Sequence, residues 1–176
     1  FNMDLNSWDV SSVLYMGSMF YNADAFNGDI SSWDVSSVTN MSNMFQAADA
    51  FNQDIGSWDV SSLLYMTNMF TNAQSFDYPL CNWEPNTNII YLPNTWSTDS
   101  MDATIIGWYL NWESLSQNYI YYGNQYCHSG DTINLLSSQY GWTFYYGSGE
   151  NCSTNTSLDD IISTCARSEE HTSELQ

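Results

Sequence analysis

The residues of this chain that are best suited to chemistry are aspartates, which recur at an interval of 25 residues. They form two sets, Asp4, Asp29 and Asp54 and then Asp9, Asp34 and Asp59. Clustered carboxylates suit a hard cation such as Ca²⁺, so the first set is a weak candidate calcium site. Each aspartate can instead accept hydrogen bonds from the backbone of its own turn, as Asp does before Val-Ser-Ser. The sequence favours this second interpretation, because no loop has the EF-hand pattern.

Catalytic chemistry has little support in the sequence. Cys127 and His128 could form a thiol nucleophile and its base, but adjacent residues point to opposite faces of a strand. Two carboxylates about 5 to 9 Å apart can hydrolyse glycosides, yet acidic residues alone are not specific to that reaction. The chain has no Gly-x-Ser-x-Gly, His-Glu-x-x-His or phosphate-binding loop. We therefore predict that the protein is not an enzyme and uses no cofactor.

Composition and charge limit the class of partner. The 176 residues are 43% hydrophobic and 16% aromatic, which is enough for a folded core. They include 20 acidic residues and a single Lys or Arg, for a net charge of −19. Such a chain repels phosphate backbones and anionic lipids, which excludes nucleic acid and membrane surfaces as partners. We expect a protein ligand or a glycan as the partner and no membrane insertion.

The last ten residues, Arg167–Gln176, differ in composition from everything before them. They resemble the in-frame translation of a sequencing-library adapter, and we interpret them as an artefact that takes no part in the fold. The alternative is a genuine acidic tail. Arg167 is the single basic residue of the chain, so the remainder has no Lys or Arg.

The elements that position these groups follow from the repeat, because large apolar residues recur at the same interval. The main columns are Phe1, Phe26, Phe51 and Phe76, then Trp8, Trp33, Trp58 and Trp83, then Met19, Met44 and Met69. Alternation over residues 26–35 predicts a short strand, and apolar spacing over residues 41–48 predicts a short helix. One unit cannot bury its own apolar faces, so stacking must bury them. We predict an α/β repeat solenoid, leucine-rich-repeat-like, with short parallel strands and short helices.

Two prolines mark the end of the predicted array. Pro79 replaces the repeated Asp and Pro85 replaces the repeated Val, and proline removes a donor from a strand ladder. We expect the array over residues 1–85, with units starting at 1, 26 and 51 and a degenerate unit at 76.

Three segments follow the array in this interpretation. A C-terminal cap covers residues 86–152, residues 153–166 are a linker or the start of a missing segment, and residues 167–176 are the artefact. The chain opens inside a repeat without an initiator Met, so we expect both natural termini to be missing.

The predicted cap is rich in aromatic residues. A helix near residues 101–110 and strands near residues 120–123 and 142–147 make it an α+β cap over the open end of the array. Exposed Tyr and Trp side chains bind protein hot spots or sugar rings. The candidate binding residues are Trp108, Trp112, Tyr121 and Tyr145. The alternative is that these side chains form the core of the cap.

The unit Phe-Asn-x-Asp-Ile-x-Ser-Trp-Asp-Val, followed by Met-x-x-Met-Phe, resembles the repeat of BspA-type leucine-rich-repeat surface proteins over Phe1–Trp83. The segment Asp102-Ala-Thr-Ile-Ile-Gly-Trp and the later Tyr126-Cys and Tyr140-Gly-Trp-Thr also resemble that family. The turn after Thr143 is aromatic here, where the family has an acidic, glycine-rich one.

This resemblance implies an extracellular or cell-surface protein that adheres to host or matrix proteins. It also implies a disulfide between Cys127 and Cys152, and it says nothing about Cys81 or Cys165. The four cysteines lack the Cys-x-x-Cys spacing of a zinc site, and their even number fits an exported protein.

The sequence thus predicts an extracellular, surface-displayed, non-catalytic module for protein recognition or adhesion. One alternative is a carbohydrate-binding accessory module that uses the cap aromatics. Another is a structural spacer with no ligand. Outside the cap, we expect specific contacts at outward, variable positions of the repeat such as Met3, Gly28 and Gln53.

Overall fold

The computed structural model describes residues 2–87, 89–93, 95–111, 119–121 and 143–145. Its regular elements are β1 (Ile89–Tyr91), α1 (Thr98–Asn111), β2 (Tyr119–Tyr121) and β3 (Thr143–Tyr145). The three strands form one parallel sheet in the order β1-β2-β3. The rest of the described chain consists of turns and extended segments.

Parallel backbone pairing occurs at one repeat position both in the earlier units and in the sheet. Asn40 forms isolated parallel bridges with both Tyr15 and Tyr65. Ile90 in β1 follows Tyr65 by one 25-residue interval, so it occupies the same repeat position. Ile90 then pairs with Ile120 in β2. The same column of the repeat therefore carries parallel backbone pairing in the turn-rich units and in the sheet.

The structure differs from the sequence expectation at residues 41–48, which form turns and not a helix. Asn43 and Ala47 have φ values of 59° and 55°, which a right-handed helix does not allow. Their N–H groups donate to the carbonyls of Thr67 and Thr71 in the next unit, each at 2.9 Å. Residues 26–35 likewise have no regular strand. Alternate N–H groups over residues 41–47 thus donate to the next unit, whereas a helix would keep all of these hydrogen bonds within one unit.

Tight turns give residues 41–48 an apolar spacing that resembles the spacing of a helix. The Met44 N–H donates to the Met41 carbonyl at 3.1 Å, which closes a four-residue turn. Such a turn places apolar residues three positions apart, as a helix does. Ser18 and Asn22 in the first unit have φ values of 58° and 54° at the equivalent positions. The turn geometry is therefore a property of the repeat.

Aromatic columns fill the interior between the units. Phe26, Phe51 and Phe76 are fully buried, with ring centroids 6.1 and 5.6 Å apart in near-parallel pairs. A second phenylalanine column interleaves with the first, since Phe45 stacks on Phe51 at 3.9 Å. Full burial of one such side chain stabilises a fold by roughly 1.5–3 kcal/mol, so these columns are the main source of stability in the array.

Asparagine side chains join the units on their polar side. The Asn27 N–H donates to the Asn2 Oδ1 at 2.8 Å, and the Asn52 N–H donates to the Asn27 Oδ1 at the same distance. The Asp77 N–H donates to the Asn52 Oδ1 at 3.2 Å. Each amide oxygen satisfies a backbone donor that the turn itself leaves free.

Tryptophan side chains also bind backbone across the units. Their indole N–H groups donate to a carbonyl 28 residues earlier in four successive pairs: Trp33 to Leu5, Trp58 to Ile30, Trp83 to Ile55 and Trp108 to Leu80. The repeated tryptophan thus contributes both packing and a hydrogen bond to the previous unit.

The last of these tryptophans belongs to α1, so the helix packs in register with the array. Ile105 and Trp108 follow Leu80 and Trp83 by one repeat interval, and both are buried. The Leu80 N–H donates to the Thr104 Oγ1 at 2.9 Å. Helix α1 therefore covers the fourth unit as a fifth unit would.

The tryptophan column predicts a position-dependent loss of stability. Trp58→Phe leaves the Ile30 carbonyl without its buried donor and opens a small cavity, so unfolding should become easier by about 2–4 kcal/mol. Trp8→Phe, at the same repeat position but 52% exposed, is the matched control and should change stability by under about 1 kcal/mol. Urea unfolding followed by circular dichroism measures both. Equal effects for the two variants would contradict the stacked arrangement.

Candidate functional site

Two groups of exposed apolar side chains on this molecule must be separated before a site is assigned. Trp8 is 52% exposed, whereas Trp33 at the same position of the next unit is 4% exposed. Met19 is exposed, whereas the equivalent Met44 is fully buried. The exposure of Trp8 and Met19 therefore arises from their place in the first described unit.

The second group is exposed in the first and third units at one repeat position, whereas Ile90 at that position in β1 is buried. Tyr15 is 71% exposed and Tyr65 is 58% exposed, and the leucine before each of them is exposed as well. Tyr65 lies in the third unit, between the turns of the second unit and those of the fourth. Its exposure is thus not an end effect. We call this surface the tyrosine face; it consists of Leu14, Tyr15, Thr39, Asn40, Leu64 and Tyr65.

The backbone holds the tyrosine face in one arrangement. The Met16 N–H donates to the Asn40 carbonyl and the Met41 N–H donates to the Tyr65 carbonyl, both at 2.8 Å. Neighbouring strands in a parallel pair lie about 4.8 Å apart, so Tyr15 and Tyr65 are about 10 Å apart with Asn40 between them. Two exposed rings on a rigid backbone can bind a ligand with little loss of conformational entropy.

A depression of about 370 Å³ adjoins Tyr65. Its lining residues are Leu64, Tyr65, Met66, Thr67, Asn86, Thr87 and Tyr91. This volume is within the range of known ligand pockets, and it could accept one large side chain or a sugar ring. The described residues of this lining carry no acidic or basic group, so their contacts are apolar contacts and neutral hydrogen bonds.

A column of carboxylates follows the same units. Its members are Asp9, Asp34, Asp59 and Glu84, one from each unit and all exposed. Glu84 lines a second depression of about 250 Å³ together with Asp59, whereas Asn86 lines the first depression. Only Pro85 separates Glu84 from Asn86, so the chain passes from the second depression to the first within two residues. We call these four residues the acidic column.

Hydrogen bonds within the turn lower the pKa of two members of the acidic column. The Ser36 hydroxyl and backbone N–H both donate to the Asp34 Oδ1, at 2.6 and 3.1 Å, and they lower the pKa of that carboxyl. Ser11 lowers the pKa of Asp9 in the same way. The charge of Asp9 opposes the effect at Asp34 but does not reverse it. Asp9 and Asp34 are therefore negatively charged at neutral pH.

The candidate calcium ligands are used within their own turns. The Asp4 Oδ1 accepts from the Asn6 N–H at 2.9 Å, and the Asp54 Oδ1 accepts from the Gly56 N–H at 3.0 Å. Asp29 accepts from the Ser31 N–H, which lowers the pKa of its carboxyl. Within the described residues, no group of three acidic, histidine or cysteine side chains could hold a metal ion.

The structure places one predicted binding residue of the cap in the interior. Trp108 is 1% exposed, and its indole N–H donates to the Leu80 carbonyl, so its ring is not accessible to a ligand. Trp112 lies outside the described residues. Tyr121 and Tyr145 end β2 and β3 and pair with each other in register, but their side chains lie outside the description.

The three repeat positions that are expected to point outward differ in their exposure. Met3 is 63% exposed, as expected. Gly28 is buried, and a Cβ atom on it would lie within 2.1 Å of the Met3 carbonyl oxygen, so the expectation of an outward contact there is wrong. The close approach of two backbones requires glycine at this position. Gln53 is half-buried, and its Nε2 donates to the Asn27 carbonyl.

The cysteine and histidine predictions fall mostly beyond the described part of the chain. Cys127, His128 and Cys152 lie outside it, so their pairing and reactivity stay predictions. Cys81 is buried beside the core and is not a free thiol.

Comparison with known proteins identifies the family. A family described as a Mycoplasma protein of unknown function, DUF285, matches residues 1–105. The chain belongs to this family. The match is compatible with a surface repeat protein, and it includes the array, β1 and the first half of α1. No curated protein and no solved structure matches the chain. Among the described residues, no helix is long and apolar enough to cross a membrane.

A repeated dipeptide in the sequence marks the tyrosine face. Leu14-Tyr15 and Leu64-Tyr65 are the same dipeptide at the same position of two units, but the second unit has Thr39-Asn40 there. A residue shared by two of three units reads as a variable position. Its exposure becomes evident only once the core columns have been placed.

The acidic column predicts a local pH effect. Ser36→Ala removes the strongest donor to Asp34, so the pKa of that carboxyl should rise towards its ordinary value. Because the folded-state pKa is depressed, the stability from this contact is complete above the ordinary pKa of about 4 and is lost as pH falls through the depressed value. An NMR titration of the Asp34 carboxyl measures the change. Ser37→Ala is the adjacent control, and an equal shift in that variant would contradict the assignment.

Proposed function

We propose that this protein is a surface-displayed, non-catalytic recognition module that binds a protein ligand through the tyrosine face. In this proposal the array is a leucine-rich-repeat-like solenoid, and the C-terminal part is an α+β cap that covers its end. The observation that supports this proposal most directly is the exposure of Leu64 and Tyr65 in an interior unit. A large apolar side chain that stays exposed between stacked units adds little to the stability of the fold. It can instead provide contact area for a binding partner.

The geometry of the face supports a protein ligand. Tyrosine is enriched at binding hot spots, because its ring provides a large contact area with few rotatable bonds. The polar Thr39 and Asn40 lie between the two Leu-Tyr pairs, so the surface alternates apolar and hydrogen-bonding groups. Protein interfaces combine such groups in this way.

The location belongs to the same proposal. The family match is compatible with a surface repeat protein, and we propose an extracellular or cell-surface location with adhesion as the role. A disulfide between Cys127 and Cys152 would suit that oxidising setting. Non-reducing peptide mapping would detect the pair directly.

The second candidate function is carbohydrate binding, and one observation favours it. The depression beside Tyr65 combines two tyrosines with the amide and hydroxyl groups of Asn86, Thr67 and Thr87. Aromatic rings stack on sugar faces, and neutral polar groups orient sugar hydroxyls. This site differs from the cap aromatics first considered for a glycan, since Trp108 is buried. A structural spacer, the third candidate, would bind neither class.

A binding panel separates these candidates. Purified matrix and cell-surface proteins and a glycan array should be probed with the parent protein and with a Tyr15→Ser/Tyr65→Ser double variant. We expect the double variant to lose at least about tenfold in affinity for a protein ligand, as the removal of hot-spot side chains does. Tyr78→Ser is the matched control, because Tyr78 is exposed but lies outside the tyrosine face.

Three outcomes of this panel contradict the proposal. Protein binding that is equally strong in the double variant would move the site elsewhere. Glycan binding alone, lost in the double variant, would favour the second candidate. No binding in either panel would favour the spacer.

A further inference from the structure

From the neighbourhood of the tyrosine face, we infer that its ligand is an extended, lysine- or arginine-rich polypeptide segment, whose apolar side chains lie on the tyrosine face while the acidic column attracts its cationic side chains. This inference rests on the proposed function and names the partner class for the same surface. It depends on three features of the molecule, which are the shape of the face, the position of the charges and the absence of internal counter-charges.

The shape of the face suits an extended segment. Tyr15, Asn40 and Tyr65 lie in one row, so the face is a strip that crosses three units. An extended chain rises about 3.3 Å per residue, so six or so residues would span the strip from Tyr15 to the depression beside Tyr65. Alternate side chains of such a segment point the same way. One row could therefore contact the tyrosines while the other points away from the face.

The acidic column runs parallel to this strip. Asp59 and Tyr65 are six residues apart, which limits the distance between their Cα atoms to about 20 Å, and a tight turn at Val60–Leu63 shortens it further. Successive members of the acidic column belong to successive units, as the tyrosines do. A segment that follows the tyrosine face therefore runs in the same direction as the acidic column. The separation of the two rows is shorter than the Debye length of about 30 Å at 0.01 M salt, so the carboxylates attract the cationic side chains of the segment without direct contact.

No internal counter-charge competes with such a ligand. The described residues include no Lys, Arg or His, and the whole chain has a single Lys or Arg. Complementary charge on a partner therefore raises the association rate and excludes acidic competitors. The described residues that line the depression beside Tyr65 are uncharged, which leaves it to an apolar side chain of the segment. A cation near an exposed tyrosine ring gains a further attraction from the ring face.

The test uses three short synthetic peptides with blocked ends and the full chain. One peptide alternates Lys and Val, one alternates Lys and Ser, and one alternates Glu and Val. Fluorescence anisotropy gives their affinities at about 0.01 M and about 0.15 M salt, where screening differs several-fold in range. We expect the Lys-Val peptide to bind at least about tenfold more tightly than the Glu-Val peptide, and also more tightly than the Lys-Ser peptide.

Two sets of variants separate the apolar and charged contributions. Tyr65→Ser, or Leu64→Ser as an independent substitution on the same face, should weaken Lys-Val binding at least about fivefold, whereas Tyr78→Ser should not. Asp34→Asn/Asp59→Asn should weaken binding and flatten its dependence on salt. Asparagine keeps an Oδ1 acceptor for the Ser36 and Ser61 N–H groups, so the turns are retained. Urea unfolding of each variant checks that the fold is intact.

Equal binding of the Lys-Val and Glu-Val peptides would overturn the inference, as would unchanged Lys-Val binding in both Tyr65→Ser and Leu64→Ser. The proposed function fails separately. A neutral or acidic protein from the binding panel that depends on Tyr65 would refute the basic segment while leaving recognition by the tyrosine face in place.

Discussion

Backbone hydrogen bonds between consecutive units are the interaction on which the rest of this structure depends. The turns with positive φ, such as those at Asn43 and Ala47, direct N–H groups towards the next unit and not back into their own. A single unit therefore leaves these donors free, and buried free donors are costly. The units must stack to satisfy them, and stacking brings identical side chains over one another at close to the spacing of a parallel pair.

The distribution of chemistry on the molecule follows from that stacking. Positions that point inward form columns of Phe, Trp and Met, and these side chains pack in the core. Positions that point outward are aligned as well, so one carboxylate per unit gives a line of charge, and the tyrosines of the first and third units lie in one row with Asn40 between them. Each aspartate is held by its own turn, which explains how like charges persist side by side without counter-charges. Binding surface is therefore generated by repetition, with the variable positions deciding what the surface recognises.

The sequence was sufficient for the columns and insufficient for the local conformation. The interval of 25 residues identifies the aromatic and methionine columns, which are buried, and Asp before Val-Ser-Ser identifies the turns. Residues 41–48 were misjudged because a succession of tight turns and a helix both place apolar residues three positions apart. Gly28 was misjudged because the close approach of the Met3 backbone is a contact across units. Ile105 and Trp108 continue the 25-residue interval, so the sequence indicates the position of α1 as a fifth unit. The change from turns to a helix makes this interval hard to recognise.

The most direct test of this account is a measurement of which carbonyl the Ala47 N–H group binds. Scalar coupling across a hydrogen bond, detected by NMR between the amide nitrogen of one residue and the carbonyl carbon of another, gives the answer. The account predicts a coupling from Ala47 to Thr71 in the next unit, together with one from Asn43 to Thr67. A coupling from Ala47 to Asn43, as a helix would give, would contradict it.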